Sequence, residues 1–272
     1  MEAQIKATLG EELHQTCEDG DLDTILKHIS RRRAANPSYK PPFPEMMYTA
    51  AGKDNLNVVK YCLENGAAVT DNVMQKVLIS RAKNTYIYFL ESQAVEVDHY
   101  IPWFGDILSN VATDDDFEWA KICLSHGANP NKNLYEEHKT ILAAVAELAS
   151  VEMAALLVEN GAHVKGSGAI VMAAEEGKLK MVEILLENGA DIDEIGIEHP
   201  TDERYREDMG SALHRAVNGG HRDVVRFLIE KGADVGLRDL LGRTPMDLAL
   251  ARNKRGASGD VEGGWCRNSV TR

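Results

Sequence analysis

Aromatic residues are scarce in this chain: Phe, Trp and Tyr together make up 6% of its 272 residues. A conventional globular core leans on such rings for buried area, so the interior has to be assembled from smaller side chains. Cysteine is scarce as well, and Cys17, Cys62, Cys123 and Cys266 show neither CxxC spacing nor a His-rich companion, which excludes a zinc ribbon or a dithiol redox motif. Long apolar runs are missing. Met153-Ala154-Ala155-Leu156-Leu157-Val158 is among the longest, far short of the roughly 18 residues that span a bilayer, and no membrane contact is expected. Positive charge is in deficit, with 30 Lys and Arg against 43 Asp and Glu for a net −13. That balance argues against nucleic acid as a partner, because phosphate backbones are bound by clustered cations. The opening Met1-Glu2-Ala3-Gln4-Ile5-Lys6 has no leader pattern, so the expected location is intracellular, cytoplasmic or nuclear.

Signatures of chemistry are absent too. No GxGxxG, HExxH, GxSxG, Walker-type or EF-hand pattern occurs, and Gly166-Ser167-Gly168 is a lone turn with no strand before it. His99, His126, His138 and His199 pair with no second His or Cys at metal-ligand spacing, so neither a metal nor a cofactor is expected.

What the chain does have is a period. Gly-Ala pairs follow apolar helix-like stretches at Gly66-Ala67, Gly127-Ala128, Gly161-Ala162, Gly189-Ala190 and Gly232-Ala233, with a degenerate Gln93-Ala94 between the first two. The mean interval is about 33 residues. The stretch Ala212-Leu213-His214-Arg215-Ala216-Val217 through Val224-Val225-Arg226-Phe227-Leu228 to Gly232-Ala233 is the clearest copy, and 169–191 and 49–67 match it in register. Ile107–Ala128 and Ile141–Ala162 are weaker copies. Thr244-Pro245-Met246-Asp247-Leu248-Ala249 begins a last one that has no second half. This pattern resembles the ankyrin-repeat family over residues 13–252. The resemblance implies an all-α solenoid of stacked helix-turn-helix units with finger loops, about seven helix pairs plus a terminal half-repeat.

The residue types make physical sense in that frame. Ala50-Ala51, Ala173-Ala174 and Ala216-Val217 let first helices approach closely, and Leu185-Leu186 and Val224-Val225 belong on the buried stripe of second helices. Cys17, Cys62 and Cys123 fall on core positions, where free Cys acts as a small hydrophobe. The glycines close helix ends. In the family, the residue at His14 and His214 makes structural hydrogen bonds between neighbours. Residues 1–12 are expected to form a capping segment through Ile5 and Leu9, and 253–272, Gly-rich and aperiodic, a disordered tail.

Departures from the period are the candidates for function. Residues 30–45, with Arg31-Arg32-Arg33 and four prolines, are expected to be an extended, basic connection. Residues 95–106 carry Tyr100, Trp103 and Phe104 where a finger belongs; exposed aromatics mark binding hot spots, although packing into a local mini-core would leave the same trace. The 191–211 insertion has eight acids against two arginines and includes Tyr205. Val164–Gly168 is too short for a full finger. At the ends of the first helices, six of fourteen positions are acidic and one is basic; Asp114, Glu147, Glu175 and Glu176 are among them, which predicts an acidic stripe along the concave face.

The leading expectation is therefore a non-enzymatic, monomeric module that binds a protein partner, basic or with apolar anchors, through Tyr100, Trp103, Phe104, Asp114, Glu147, Glu175, Glu176 and Tyr205. The alternative is an atypical enzyme or small-molecule binder whose pocket is lined by Trp103, Glu147, Glu175 and Tyr205, since carboxylates brought together by a fold can divide into acid and base.

Overall fold

The computed structural model describes residues 1–135, 139–196 and 210–258. A single helix, α1 (Glu2–Leu9), precedes seven helix pairs. These are α2 (Glu11–Asp19) with α3 (Leu22–Ala35), α4 (Phe43–Ala51) with α5 (Leu56–Glu64), α6 (Asp71–Ile79) with α7 (Lys83–Glu91), α8 (Ile107–Thr113) with α9 (Phe117–Ser125), α10 (Ile141–Leu148) with α11 (Val151–Glu159), α12 (Ala169–Glu175) with α13 (Leu179–Glu187), and α14 (Ala212–Gly219) with α15 (Arg222–Glu230). Helix α16 (Pro245–Ser258) follows and has no second helix among the described residues. The only strands among the described residues are β1 (Leu134–Tyr135) and β2 (Lys139–Thr140), a two-residue antiparallel pair in the loop before α10.

The chain divides into two compact units, Met1–Val111 with Asp116–Asn129, and Ala112–Asp115 with Pro130–Arg272. In the first, α2 packs on α4, α4 on α6, and α5 on α7. In the second, α10 packs on α12, α12 on α14, and α14 on α16, while α11 and α15 flank α13. First helices thus stack on first helices and second on second, as the Ala pairs anticipate: Ala50, Ala51, Ala173, Ala174 and Ala216 are all fully buried.

Each second helix from α5 onward ends in one repeated device. The residue after the last turn has left-handed φ: Gly66 89°, Gln93 57°, Gly127 88°, Gly161 89°, Gly189 90° and Gly232 92°. The alanine that follows donates its N–H to the carbonyl five residues back, from Ala67 to Cys62, Ala94 to Phe89, Ala128 to Cys123, Ala162 to Leu157, Ala190 to Leu185 and Ala233 to Leu228, all at 2.9–3.0 Å. This is the hydrogen bond of a Schellman-type helix end, and Gln93 makes it without being glycine.

A second device ties the first helix to the following pair or helix at four junctions. The amide of Asn55 donates to the carbonyls of Cys17 (3.0 Å) and Glu18 (2.6 Å), Lys178 Nζ to Glu147 (2.7 Å) and Ala149 (3.0 Å), His221 Nε2 to Glu175 (2.7 Å), and Arg252 to Asn218. His214 adds a third link. Ser211 and His214 form a capping box at the start of α14, and His214 Nε2 donates to the carbonyl of Arg243 at 3.0 Å. His14 instead faces Glu18 on its own helix at 3.8 Å.

Cys17, Cys62 and Cys123 are completely buried, and burial pushes each thiol up to about 12. Large rings do enter the core, contrary to the low aromatic content: Tyr86 and Trp119 are fully buried and meet edge to face at 5.9 Å.

Several expectations need correction. Residues 30–35 are helical, because the first proline of the connection is Pro37 and α3 runs on to Ala35. The extended part is shorter, and Arg32 and Arg33 occupy the last turn of α3, where cations complement the helix dipole. Leu186 and Val225 are half-buried, so in these two second-helix pairs only Leu185 and Val224 are core; in the first-helix pair Ala216-Val217, Val217 is also half-buried. Helix α16 extends to Ser258, past the boundary placed at 252, because nothing in Asn253–Ser258 interrupts it. The remainder of the tail expectation, 259–272, lies outside the described residues.

Both a helix end and a capped turn lend themselves to stability measurements. A left-handed non-glycine residue costs roughly 1–2 kcal/mol, so Gln93→Gly, which keeps the hydrogen bond of Ala94, should raise the thermal midpoint; a lowered midpoint would show that the Gln93 side chain carries the turn. Asp239 is nearly buried, and burial alone would raise its pKa, but its carboxylate accepts from Arg243 N and Nε at 2.7 Å each and from Leu241 N at 3.0 Å, which together hold it below the ordinary value. Its stabilisation is therefore present above the unfolded carboxyl pKa of about 3.9 and disappears as pH falls through the lower folded value. Asp239→Asn should cost about 1–3 kcal/mol at pH 7 and flatten the acid limb of a pH–stability curve, as read by urea titration.

Candidate functional site

The aromatic finger of the first unit is built on Ile101. This side chain is buried, and Ile101 and Gly105 form an antiparallel bridge in which Ile101 N donates to Gly105 O at 2.8 Å and Gly105 N to Ile101 O at 2.9 Å. The amide of Asn110 donates to the carbonyls of Phe104 and Asp106, and Asp106 caps α8 by accepting from Ser109 N at 2.6 Å. Two further ties hold the base of the finger. His99 Nε2 meets an Asp71 carboxylate oxygen at 2.8 Å, and Asp98 accepts from Asn129 N at 2.9 Å. Gly105 has a φ of 77°, and a Cβ there would stand 3.0 Å from Ser109 Oγ.

On this closed loop Trp103 is 92% exposed and left-handed, with φ 68°. Tyr100 is exposed and Phe104 half-buried. No ring pair among the described residues includes any of the three. Ile101 is the buried anchor of this loop, and of the three aromatics Phe104 is the one that is part-buried.

The acidic positions belong to the second unit. Asp114 follows α8, Glu147 is on α10, Glu175 ends α12 and Glu176 caps it; Asp114 and Glu176 are exposed or partly so, Glu147 and Glu175 half-buried. Helices α10 and α12 are packed neighbours, so Glu147 and Glu175 occupy adjacent rungs. Both carboxylates are paired: Glu147 with Lys139 at 2.6 Å, and Glu175 with Arg215 at 3.1 Å. Arg215 is buried, and burial pulls its guanidinium below the usual value against the opposing pull of Glu175. In the first unit Glu18 is likewise paired, with Lys53 at 3.3 Å. The stripe therefore carries less free charge than the sequence count implies. The missed component at these helix ends is apolar: Leu148 beside Glu147 in the second unit and, separately, Ile79 at the end of α6 in the first are largely exposed. Their position at the end of a first helix was visible in the sequence, but the count there weighed charge alone.

Trp103 and the Glu147–Glu175 pair belong to different compact units, and Tyr205, His138, His199 and most of the 191–211 insertion lie outside the described residues. The second unit has an open cavity of about 840 Å³ over Leu186, Ile192 and Phe227, rimmed by Lys165 and Lys231, and neither Glu147 nor Glu175 lines it. Among the described residues no cluster of three His, Cys, Asp or Glu is placed to hold a metal, and no helix is long and apolar enough to cross a membrane.

Comparison with known proteins places this architecture. Residues 108–195 match a family model of three ankyrin repeats, and residues 197–249 match a second model of multiple ankyrin repeats. A putative ankyrin repeat protein of Acanthamoeba polyphaga mimivirus is 49% identical over 49 residues, which is 18% of this chain and 7% of that protein. The chain thus matches a small fraction of that relative's length. With matches that together run from the fourth helix pair into α16, and with the same helix end repeated from α5 to α15, the chain belongs to the ankyrin-repeat family.

Proposed function

We propose that the chain is a non-catalytic protein-binding module whose partner is anchored by the Trp103 finger. Ankyrin repeats generally mediate protein–protein interactions, and the specific reading rests on Trp103. An indole left almost wholly in water forfeits the stabilisation that its burial would give, and a bulky side chain at positive φ adds backbone strain. Neither cost is offset by packing within the described structure. Both make sense if the ring is buried by a partner, since Trp on a rigid loop is the commonest kind of anchor and loses little conformational entropy on binding.

The surroundings suggest the partner's chemistry. The outer part of the finger carries Glu96 and Asp98 and no Lys or Arg between 95 and 105. A partner segment that presents an apolar pocket or groove flanked by Lys or Arg would satisfy both features. Asp114 and Glu176, with Leu148, supply a second surface of mixed acidic and apolar character for the same class of partner. Tyr100, exposed, and Phe104, half-buried, neighbour the anchor in sequence.

Substitution at Trp103 separates recognition from stability because the two move in opposite directions. Trp103→Gly should raise the thermal midpoint by relieving the left-handed residue, by about 0.5–1 kcal/mol, while partner affinity falls by about 2 kcal/mol or more. Calorimetric titration of a captured partner reads the second and a melting curve the first. Unchanged affinity for both Trp103→Gly and Trp103→Ala would remove the finger from the binding surface.

A further inference from the structure

The first helix pair departs from the others at the end of its second helix. Helices α5, α7, α9, α11, α13 and α15 are each 9 residues long, whereas α3 has 14. Aligned on their first residues, Leu22 with Leu56 and Leu179, the extra residues are 31–35, and Arg32 stands where Gly66, Gln93 and Gly189 turn the chain out of the helix. One more helical turn replaces the closing turn and lengthens the helix by about 7.5 Å. Residues 31–35 are all exposed, so this turn covers no neighbour. Its charge has one sign. Lys27, Arg31, Arg32, Arg33 and Lys40 are exposed, and no Asp or Glu occurs between residues 24 and 44. Cations elsewhere are met by acids, as Lys53 is by Glu18, Lys76 by Glu2, Lys83 by Asp116 and Lys139 by Glu147. Among the described residues none of Lys27, Arg31, Arg32, Arg33 and Lys40 is in an ion pair.

We infer that this basic turn is a docking surface for an acidic segment of another protein, one rich in Asp and Glu. Complementing the helix dipole accounts for only part of the charge. Arg32 and Arg33 occupy the last turn, but Lys27 and Lys40 lie outside it, beyond the short reach of the dipole. Lys27 and Arg31 are also four residues apart on one face, where like charges destabilise a helix. Carboxylates set among these cations relieve that repulsion, and guanidinium forks match them with paired hydrogen bonds. The neighbouring side chains favour a protein segment over other polyanions. Leu26, 38% exposed, and the exposed Ser30 and Ala34 run at four-residue steps beside Lys27 and Arg31, so an apolar side chain of the segment has a place among its acids. The cationic stretch is short, and the exposed Asp19, Asp21 and Asp23 precede it in a chain of net −13. A long nucleic-acid backbone or a flat anionic bilayer would meet those acids too, whereas a short peptide need not.

This surface reads the opposite charge from the Trp103 finger and is independent of it. The probe is a short fluorescein-labelled peptide in which Glu alternates with Ala around a central Leu, titrated with the full chain and followed by anisotropy. It should bind and lose affinity as salt is raised, while the same peptide with Gln for Glu should not bind. Arg31→Gln, Arg32→Gln and Arg33→Gln together should weaken binding by at least about tenfold. The triple Arg31→Lys, Arg32→Lys and Arg33→Lys keeps both the charge and the cations of the helix end, and should bind more tightly than the Gln triple. Lys27→Gln with Lys40→Gln leaves the last turn of α3 untouched and should still weaken binding by about threefold or more, whereas Trp103→Ala should leave it unchanged. A wild-type chain that does not bind the peptide overturns the inference, as does equal binding by the wild type and both Gln variants. So does a single-stranded oligonucleotide or a phosphatidylserine vesicle held as tightly as the peptide.

Discussion

Every α-helix ends with main-chain carbonyls that lack an intrahelical partner, and here the first helix of a pair presents that end to the pair that follows. Where the pairs are tightly stacked, a polar group reaches back from the next interhelical turn or helix: Asn55 to Cys17 and Glu18, Lys178 to Glu147 and Ala149, His221 to Glu175, and Arg252 to Asn218. An amide, an ammonium, an imidazole and a guanidinium perform one task. The constraint therefore lies on the carbonyls and on the geometry of stacking, and any donor of sufficient reach meets it. Elsewhere the polarity reverses. Asp54 accepts from Thr85 N at 2.7 Å and Asn84 N at 3.3 Å, and Asp115 accepts from Ser150 N at 3.2 Å and Ser150 Oγ at 2.7 Å, so the start of the next second helix is satisfied instead.

This constraint also explains the acidic positions. Glu147 and Glu175 each contribute a main-chain carbonyl to the clamp, which fixes their backbone, and their carboxylates are then met by Lys139 and Arg215. A charge at the end of a first helix is thus partly a by-product of where the clamp falls. A partly exposed pair such as Glu147 with Lys139 contributes little either to stability or to steering.

Much of the fold was legible because stacking imposes a period and each device recurs at one phase of it. Gln93 is the instructive case: its place in the register, not its identity, foretold a left-handed helix end, and Ala94 donates to Phe89 as its glycine-led counterparts do. Illegible were the compensations between neighbours. Thr85 and Tyr86 of α7 lie beside Trp119 and Ala120 of α9, with small and large exchanged at matching positions and all four buried; a period describes one repeat and says nothing of such trades. The basic connection was misread for a different reason. Proline ends a helix only where it stands, and averaging its effect over 30–45 erased the last turn of α3 before Pro37.

The candidate sites were less legible because they lie where periodic constraint lapses. In a stacked array, a residue that must cover its neighbour is restricted by that neighbour, whereas a finger tip or an end face is free to drift toward polarity, which solubility favours. Trp103 and Met246 have not drifted. One is held at positive φ on a loop closed by Ile101 and Gly105, and the other is aligned with three buried aliphatic side chains yet faces solvent. Exposed large apolar side chains scattered singly need no explanation, but Trp103 stands against an identifiable pressure, the backbone strain of a positive φ. Helix α1 covers α2 and α4 and turns Glu2, Ala3, Gln4, Lys6 and Ala7 outward. Met246 and Leu250, four residues apart on α16, are exposed as well, and apolar area left in water forgoes the stabilisation that burial would give.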